Sequence, residues 1–265
     1  MIAIAALLLA ADFRFAVVGD NTGRAKPGVW EHVWREVDKL KPAFAINCGD
    51  VIEGLYDTAV DAQWQAFDPL FRSLGVYPRY FVPGNHDIWS ARSRAAFETF
   101  TKRPASYGFD HEGIHVTVLD NSQTESLSQE QLAFLEKDLA ANQSKDLRFV
   151  FFHKPFWLIP LKLRSLKMPF HVLMKQYKVH SVFSGHVHQL HRIEREGVVY
   201  WSVPSAGGDL RGNYSFDQGW FYGYVLGDVS KGKAAFTIRQ LPAPHGEGRS
   251  IAAEKWGENG PGAPK

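Results

Sequence analysis

The sequence predicts an α/β domain, built on one mixed sheet or on two packed sheets. Strand-like runs alternate with segments of helical spacing in the first half, and strand-like runs dominate the last third. A hairpin pattern that turns at Glu112 and Gly113 adds antiparallel pairing. The composition, with 45% hydrophobic and 22% charged residues, is that of a globular protein and excludes a disordered chain.

The first half predicts three strands and two helices. The strands are the runs FRFAVVGD, AFAINCGD and RYFVPGNHD. Between the first two, apolar residues recur at helical spacing, at Val29, Val33, Val37 and Leu40. Between the second and third, one helix over residues 64–74 is predicted by the apolar side chains Trp64, Phe67, Leu70, Phe71 and Leu74.

The second half predicts one more helix and several strands. Ser128, followed by Gln131, is typical of a helix start with a capping box. Strand-like runs follow in LRFVFFHKP, VHSVFSGHVH, GVVYWSVPSAGG, WFYGYVLGDV and AAFTIRQL. Residues 242–265 are rich in Gly and Pro, and we interpret them as a mobile tail after a domain over residues 12–241.

The apolar segment 1–11 is too short to span a bilayer, for which a helix needs ~20 residues. It resembles an incomplete secretory signal without a basic start, and it equally suits a lead-in to the first strand. The compartment, cytoplasmic or exported, therefore stays open. The single cysteine, Cys48, excludes an intramolecular disulfide and a four-thiolate zinc site, and its apolar surroundings indicate a buried hydrophobe. A net charge of +2 makes nucleic acid an unlikely partner, and nothing indicates an oligomeric state.

Five strand-like runs end in residue types that bind metal ions: Asp20, Asp50, Asn85 with His86 and Asp87, His153, and His186 with His188. One such ending would be an ordinary turn, but loops from several strands converge at the carboxyl edge of a sheet. Oxygen donors mixed with imidazoles suit divalent manganese, iron or zinc. A set of this size suits two ions ~3.5–4 Å apart that share a bridging carboxylate, activate a water and clamp a phosphoryl group.

The chain resembles the calcineurin-like metallophosphoesterases in the order and residue types of their motifs. In this sequence the matching positions are Asp20, Gly49-Asp50, Gly84 to Asp87, His153 and Gly185 to His188. The resemblance covers residues 13–188. It implies a four-layer α/β/β/α sandwich of two mixed sheets flanked by helices, with a dinuclear metal site. The implied activity is hydrolysis of a small phosphate mono- or diester by a hydroxide that bridges the two ions.

The resemblance also implies a role for each matched residue. Asp50 would bridge the ions, Asp20 and His188 would bind the first ion, and the second would be bound by Asn85, His153 and His186. His86 would contact the phosphate and protonate the leaving oxygen. Asp87 would orient the His86 imidazole.

The sequence departs from the family pattern at Thr22, because many members have Asp-x-His where this chain has Asp20-Asn21-Thr22. Three interpretations stay open. In the first, water or substrate completes the first metal site. In the second, Glu53 or Tyr56 supplies the missing ligand. In the third, the site is weak, and the chain is an impaired, scaffolding member of the family. Relatives of the purple acid type use a tyrosine three residues after the bridging aspartate, a position held here by Glu53.

Candidate substrate contacts are Asn21, Thr22 and Arg211, with Arg24, Asn213 and Tyr214 nearby in sequence. The segment after His153 is either a basic flap over an anionic substrate or an ordinary loop; its cations are Lys154, Lys162, Arg164 and Lys167. Trp89 and Trp157 flank motif residues, where they would stack on a base or sugar or belong to the core. A nuclease is less favoured, because the chain has no long basic run.

Overall fold

The computed structural model describes residues 12–262 and contains two six-stranded sheets. The strands of the first half are β1 Phe13–Val18, β2 Phe44–Asn47, β3 Arg79–Phe81, β4 Tyr107–His111, β5 Ile114–Val118 and β6 Leu147–Phe151. Those of the second half are β7 Ser181–Ser184, β8 His191–Arg195, β9 Val198–Ser202, β10 Gly223–Ser230, β11 Lys233–Gln240 and β12 Ser250–Ala252. A short pair, β13 Trp256–Gly257 and β14 Gly260–Pro261, follows.

Both large sheets are mixed, as the sequence predicts. The first has the order β12-β11-β10-β1-β2-β3, in which β1, β2 and β3 are parallel neighbours. The second has the order β4-β5-β6-β7-β9-β8, with β5, β6, β7 and β9 parallel. The predicted hairpin is β4 and β5, which pair antiparallel with His111 opposite Ile114.

Seven α-helices cover the outer faces of the sheets in the described chain. They are α1 Val29–Lys39, α2 Val60–Gln65, α3 Asp68–Ser73, α4 Ala91–Thr101, α5 Gln129–Ala141, α6 Leu158–Lys162 and α7 Pro169–Gln176. Ser128 is the N-cap of α5 and accepts a hydrogen bond from the backbone N–H of Gln131, as the capping pattern predicts.

Three apolar clusters define the layers. The central cluster lies between the sheets and joins Phe15 and Phe44 of the first to Phe149 and Phe183 of the second. A second cluster packs α1 to α4 on the first sheet, and a third packs α5 to α7 on the second. The order helix, sheet, sheet, helix is the predicted four-layer α/β/β/α sandwich.

Several helical regions differ from the sequence prediction, which also has no helix at α6. The single helix predicted over residues 64–74 is split into α2 and α3, because Pro69 has no N–H to donate to the carbonyl of Gln65. Helix α4 is not predicted at all. It is capped by Ser90, whose hydroxyl accepts from the backbone N–H of Ser93, and it buries only Ser93, Ala96 and Phe97.

The prediction of a mobile tail from residue 242 is wrong for residues 250–261. Strand β12 pairs with β11 at the edge of the first sheet, with Ile251 opposite Ile238. Trp256 is 1% exposed and packs against Phe216 and Phe221. The Glu258 carboxylate accepts a hydrogen bond from Nη2 of Arg195 at 3.1 Å. Buried aromatic area and an ion pair hold this segment despite its Gly and Pro content.

The apolar segment 1–11 lies outside the described residues, so the prediction of a signal or strand lead-in stays a prediction. Among residues 12–262, no helix has the length and apolar character needed to cross a membrane.

Candidate metal centre

Five loops bring the predicted ligands to one edge of the sandwich. Asp20, Asp50 and Asn85 follow the parallel neighbours β1, β2 and β3 of the first sheet. His153 and His186 follow β6 and β7, which are parallel neighbours in the second sheet. Because the carboxyl ends of parallel strands meet at the same edge, residues far apart in sequence become neighbours here.

Three side chains converge on the Nε2 atom of His153. Oδ1 of Asn85 lies 3.1 Å away, and both Oδ2 of Asp50 and Nδ1 of His186 lie 3.2 Å away. The ligand atoms of Asp50, His153 and His186 all lie within 4.8 Å of one another. Two nitrogens and two oxygens directed at one point form a donor set that suits manganese, iron or zinc.

His153 is fully buried, and its ring is fixed by the neighbouring strand end. Its Nδ1 atom lies 2.8 Å from the carbonyl oxygen of Cys48. A carbonyl oxygen only accepts, so Nδ1 carries a proton and Nε2 is the atom presented to the ligand cluster. Gly49 has a φ of 98°, and a β-carbon on it would lie 2.6 Å from Nδ1 of His153. Only glycine allows this close approach.

The electrostatics of this group favour a cation. Burial alone would lower the pKa of His153, but the negative charges of Asp50 and Asp20 raise it to about 9. Burial and the positive charge on His153 lower the pKa of His186 to about 4. One proton is thus held where the carboxylates meet the imidazoles, and a metal ion would replace it on binding.

Asp20 and His188 form the neighbouring part of the site. Oδ2 of Asp20 accepts a 2.8 Å hydrogen bond from the backbone N–H of His186 and lies 3.4 Å from Nε2 of His188. Nδ1 of His188 is 2.7 Å from the carbonyl oxygen of Asp209, so this ring also presents Nε2. Oδ1 of Asp20 is buried and has no hydrogen-bond partner among the described residues. Buried polar oxygens are rarely left unpaired, and a cation would satisfy this one.

Thr22 lies beside Asp50 and is engaged within the protein, so its contact with substrate stays a prediction. Its side chain is buried, with 1% exposure, and its hydroxyl donates to Oδ2 of Asp50 at 3.2 Å. Asn21 is likewise engaged within the protein, because its amide donates to the carbonyl oxygen of Val51 at 3.2 Å. Both residues hold the two aspartate loops together.

Arg211 is exposed and lies near the site. Burial and the positive charge of Arg211 both oppose protonation of His188, although Asp20 and the Asp209 carbonyl raise the pKa of His188 overall. Of the three predicted substrate contacts, Arg211 is therefore the one whose side chain remains available to an anion.

The structure also corrects the role of Asp87. Its carboxylate accepts hydrogen bonds from the backbone N–H groups of Asp50 at 2.7 Å, Val51 at 2.9 Å, Gly84 at 2.9 Å and Ile52 at 3.3 Å. Burial and the charge of Asp50 raise its pKa, and the backbone donors oppose that rise. Asp87 thus fixes the loop that carries Asp50 and does not orient His86.

His86 is oriented by a main-chain oxygen. Its Nδ1 atom lies 2.6 Å from the carbonyl oxygen of Glu53, so Nδ1 carries a proton and the ring is fixed by this hydrogen bond. Its backbone N–H donates to Oδ1 of Asp50 at 2.8 Å. The imidazole and the backbone of His86 are therefore both held by the segment that carries Asp50 and Glu53.

The two sequence candidates for the extra ligand differ in position. Tyr56 is 70% exposed and has no side-chain hydrogen bond among the described residues. Oε2 of Glu53 accepts a hydrogen bond from the backbone N–H of Gly23 at 3.1 Å, one residue beyond Thr22.

The predicted flap residues separate into two groups. Lys154 forms a 2.9 Å ion pair with Glu125, and its charge contributes to the low pKa of His186, so it lies near the site. The positive charges of Lys162 and Arg164 instead help to lower the pKa of Glu258, in the C-terminal segment. No side-chain contact among the described residues gives Lys167 a role.

The remaining candidates are held by the protein. Trp157 is fully buried, donates to the Ser184 hydroxyl at 3.2 Å and packs on Tyr200, so it is a core residue. Trp89 packs against the outer cluster of the first sheet. Arg24 forms a 2.5 Å ion pair with Asp209, and the Tyr214 hydroxyl accepts from Gln240 at 2.7 Å. Asn213 is exposed, and no contact assigns it a role.

Sequence reasoning missed Asn121. Its Oδ1 atom accepts from the backbone N–H groups of His153 at 3.0 Å and Lys154 at 3.1 Å, and its amide donates to the Lys154 carbonyl at 2.9 Å. Asn121 follows β5, the neighbour of β6, so a polar residue at one more strand end was the available signal.

Residues 13–190 match the calcineurin-like phosphoesterase family. The chain is similar to tartrate-resistant acid phosphatase type 5 of Homo sapiens, with 28% identity over 242 residues that cover 73% of this chain and 72% of that protein. It is 27% identical over 173 residues to purple acid phosphatase 23 of Arabidopsis thaliana, covering 58% of this chain and 37% of that protein. The chain thus spans little more than a third of the plant relative.

Two solved structures share the fold. Purple acid phosphatase PPD1 of yellow lupin (Lupinus luteus) superposes with a TM-score of 0.65 at 16% identity, over 91% of this chain and 53% of that one. GAP50 of Plasmodium, described as the anchor in the inner membrane complex, superposes with a TM-score of 0.62 at 13% identity, over 91% and 88%. The family match over residues 13–190 spans more than half of the chain, and the chain therefore belongs to the calcineurin-like phosphoesterase family.

Proposed function

We propose that the protein is a metal-dependent phosphoesterase that hydrolyses a small phosphate mono- or diester with two divalent ions. The observation that carries this proposal is the convergence of Asp50, Asn85 and His186 on Nε2 of His153, within 3.1–3.2 Å. The unpaired Oδ1 of Asp20 beside His188 supports a place for the other ion. When bound, such ions withdraw charge from a phosphoryl group and lower the pKa of a water molecule.

The residues of the chain would divide the remaining work. Asp50 would face both ions, and Asp87 would keep its loop in place through four backbone hydrogen bonds. His86 would donate a proton from Nε2 to the leaving oxygen, with its Nδ1–H fixed on the Glu53 carbonyl. Arg211, exposed near His188, would contact the phosphate.

The composition of the donor set bears on the metals. One amide oxygen, two carboxylates and three imidazoles suit manganese, iron or zinc, whereas an all-oxygen set would favour magnesium or calcium. We propose these three metals as the candidates to test.

A second candidate function is a binding or anchoring module with impaired catalysis. Thr22 favours it, because a hydroxyl engaged with Asp50 stands where many relatives have an imidazole ligand. The fold similarity to the Plasmodium anchor protein supports this candidate, because one fold can carry different functions. The retained His86, held in a defined orientation, favours catalysis.

One assay separates the two functions. Metal-stripped protein is refilled with manganese, iron, zinc or magnesium and tested on p-nitrophenyl phosphate and its bis-ester. The enzymatic proposal expects at least one metal to restore turnover, and expects His153→Ala, which removes the nitrogen on which Asp50, Asn85 and His186 converge, to abolish it. Turnover restored by no metal would leave the anchoring module as the function.

A further inference from the structure

Loop 21–24 offers few metal-binding atoms to the side of the site formed by Asp20 and His188. The Thr22 hydroxyl is buried and donates to Asp50, and the Asn21 amide donates to the Val51 carbonyl. Neither side chain offers a charged oxygen to an ion. A first ion would therefore have Asp20, Asp50 and His188 as its protein ligands, unless a neighbouring element adds one.

Glu53 reaches this loop from the segment that follows Asp50. Oε2 of Glu53 accepts from the backbone N–H of Gly23 at 3.1 Å. Gly23 in turn lies against His188, because a β-carbon on Gly23 would be 3.6 Å from Cε1 of that ring. The Glu53 carboxylate is thus attached to the part of the loop that faces the His188 imidazole.

The main chain of Glu53 is fixed, whereas its side chain is exposed and able to turn. Its carbonyl oxygen accepts from Nδ1 of His86 at 2.6 Å, and the backbone N–H groups of Asp50, Val51 and Ile52 bond to Asp87. A carboxylate on a rigid backbone, beside a group of metal-binding side chains, is well placed to bind a cation.

We propose that the Glu53 carboxylate is a ligand of the first metal ion and replaces the ligand that Thr22 does not provide. This inference rests on the proposed function. It adds a third carboxylate to Asp20 and Asp50, so the site would carry three negative charges against two divalent ions. A carboxylate ligand in place of an imidazole also moves the first site towards harder ions such as manganese.

The test compares Glu53→Gln with wild type and with Glu130→Gln. In Glu53→Gln the amide oxygen still accepts from Gly23, so the loop contact is kept while the charge is lost. Glu130 is exposed on α5, outside the site, and its substitution removes one carboxylate as a matched control. Mn²⁺ binding to metal-stripped protein is measured by isothermal titration calorimetry, and metal content per chain after dialysis by mass spectrometry.

The expected result is two ions in wild type and in Glu130→Gln, with about 10–100-fold weaker binding of one of them in Glu53→Gln. Equal affinities for both ions in all three proteins would overturn the inference while leaving the proposed function intact. A single bound ion in wild type would also overturn it, because the first site would then be incomplete even with Glu53. Two bound ions without hydrolysis of any phosphoester would instead contradict the proposed function.

Discussion

The carboxylate of Asp87 accepts a 2.7 Å hydrogen bond from the backbone N–H of Asp50, a residue of the candidate metal centre. Three more backbone N–H groups, from Val51, Ile52 and Gly84, bond to the same carboxylate. Asp50 has a φ of 59°, in the left-handed region that non-glycine residues seldom adopt. Asp87 therefore stabilises the unusual backbone that directs Asp50 into the site.

Asp87→Asn should destabilise the protein even without metal. An amide keeps one accepting oxygen but turns an NH2 group towards backbone donors, which should cost about 1–3 kcal/mol in the free energy of unfolding. Urea unfolding in the presence of a chelator measures this cost, with Glu130→Gln as the control. An unchanged unfolding midpoint in Asp87→Asn would show that the four hydrogen bonds are not structurally important.

His86→Asn should leave metal uptake intact and slow hydrolysis according to the leaving group. Its imidazole lies outside the converging donor set, so both ions should still bind. General acid catalysis contributes about 10²–10⁴-fold when the leaving oxygen needs a proton. The loss should therefore be large for an alkyl phosphate and small for p-nitrophenyl phosphate. Equal losses on the two substrates would contradict a proton-donor role.

The buried His115 should make stability pH-dependent at a distance from the metal centre. Its Nδ1 and Nε2 atoms lie 2.7 Å from Asp110 and Asp138, respectively. Burial alone would lower the pKa of His115, but these two carboxylates raise it above the ordinary value. A raised pKa stabilises the fold below the unfolded value of about 6.5, and this contribution is lost as pH rises through the folded pKa.

The measurement is the free energy of unfolding of wild type and His115→Gln between pH 5 and 9, in chelator. The variant should be less stable by about 1–3 kcal/mol at the acidic end, with the gap closing as pH rises. His191→Gln should show the opposite trend below pH ~6.5, because burial and the charge of Lys162 lower the pKa of His191 to about 4. A gap that widens with pH for His115→Gln would refute this assignment.

Trp256→Ala should show that the C-terminal segment is part of the fold. The indole is 1% exposed and packs against Phe216 and Phe221, so truncation should cost about 3–5 kcal/mol. Lys255→Ala changes the exposed neighbouring residue and serves as the control. Equal unfolding midpoints for the two variants would mean that the segment contributes no stability.

The strands and the clustering of the candidate ligands were predictable from local patterns, and the four layers followed from the family resemblance. Apolar runs end in a ligand-type residue at Asp20, Asp50 and His153, and the ends of parallel strands must meet. Ser128 with Gln131 placed the start of α5 by capping chemistry. Helix α4 escaped prediction because its N-cap interaction uses Ser93 instead of Glu or Gln, and its apolar face is narrow.

Other features depend on partners that are distant in the chain. The Gly and Pro content of the C-terminal segment indicates flexibility, whereas its order comes from β11, Phe216 and Arg195. The acceptor role of Asp87 towards Asp50 is also set by tertiary structure, as is the bond between Glu53 and Gly23. Spacing along the sequence carries no information about these contacts.

The most direct test of the central claim is the hydrolysis rate of metal-stripped protein as manganese is added in known amounts per chain. The account predicts no turnover in chelator, a rise with added metal and saturation at two equivalents. His153→Ala, which removes the nitrogen on which Asp50, Asn85 and His186 converge, should prevent the rise. Turnover that is equal with chelator and with metal, or that is the same in His153→Ala, would contradict the account.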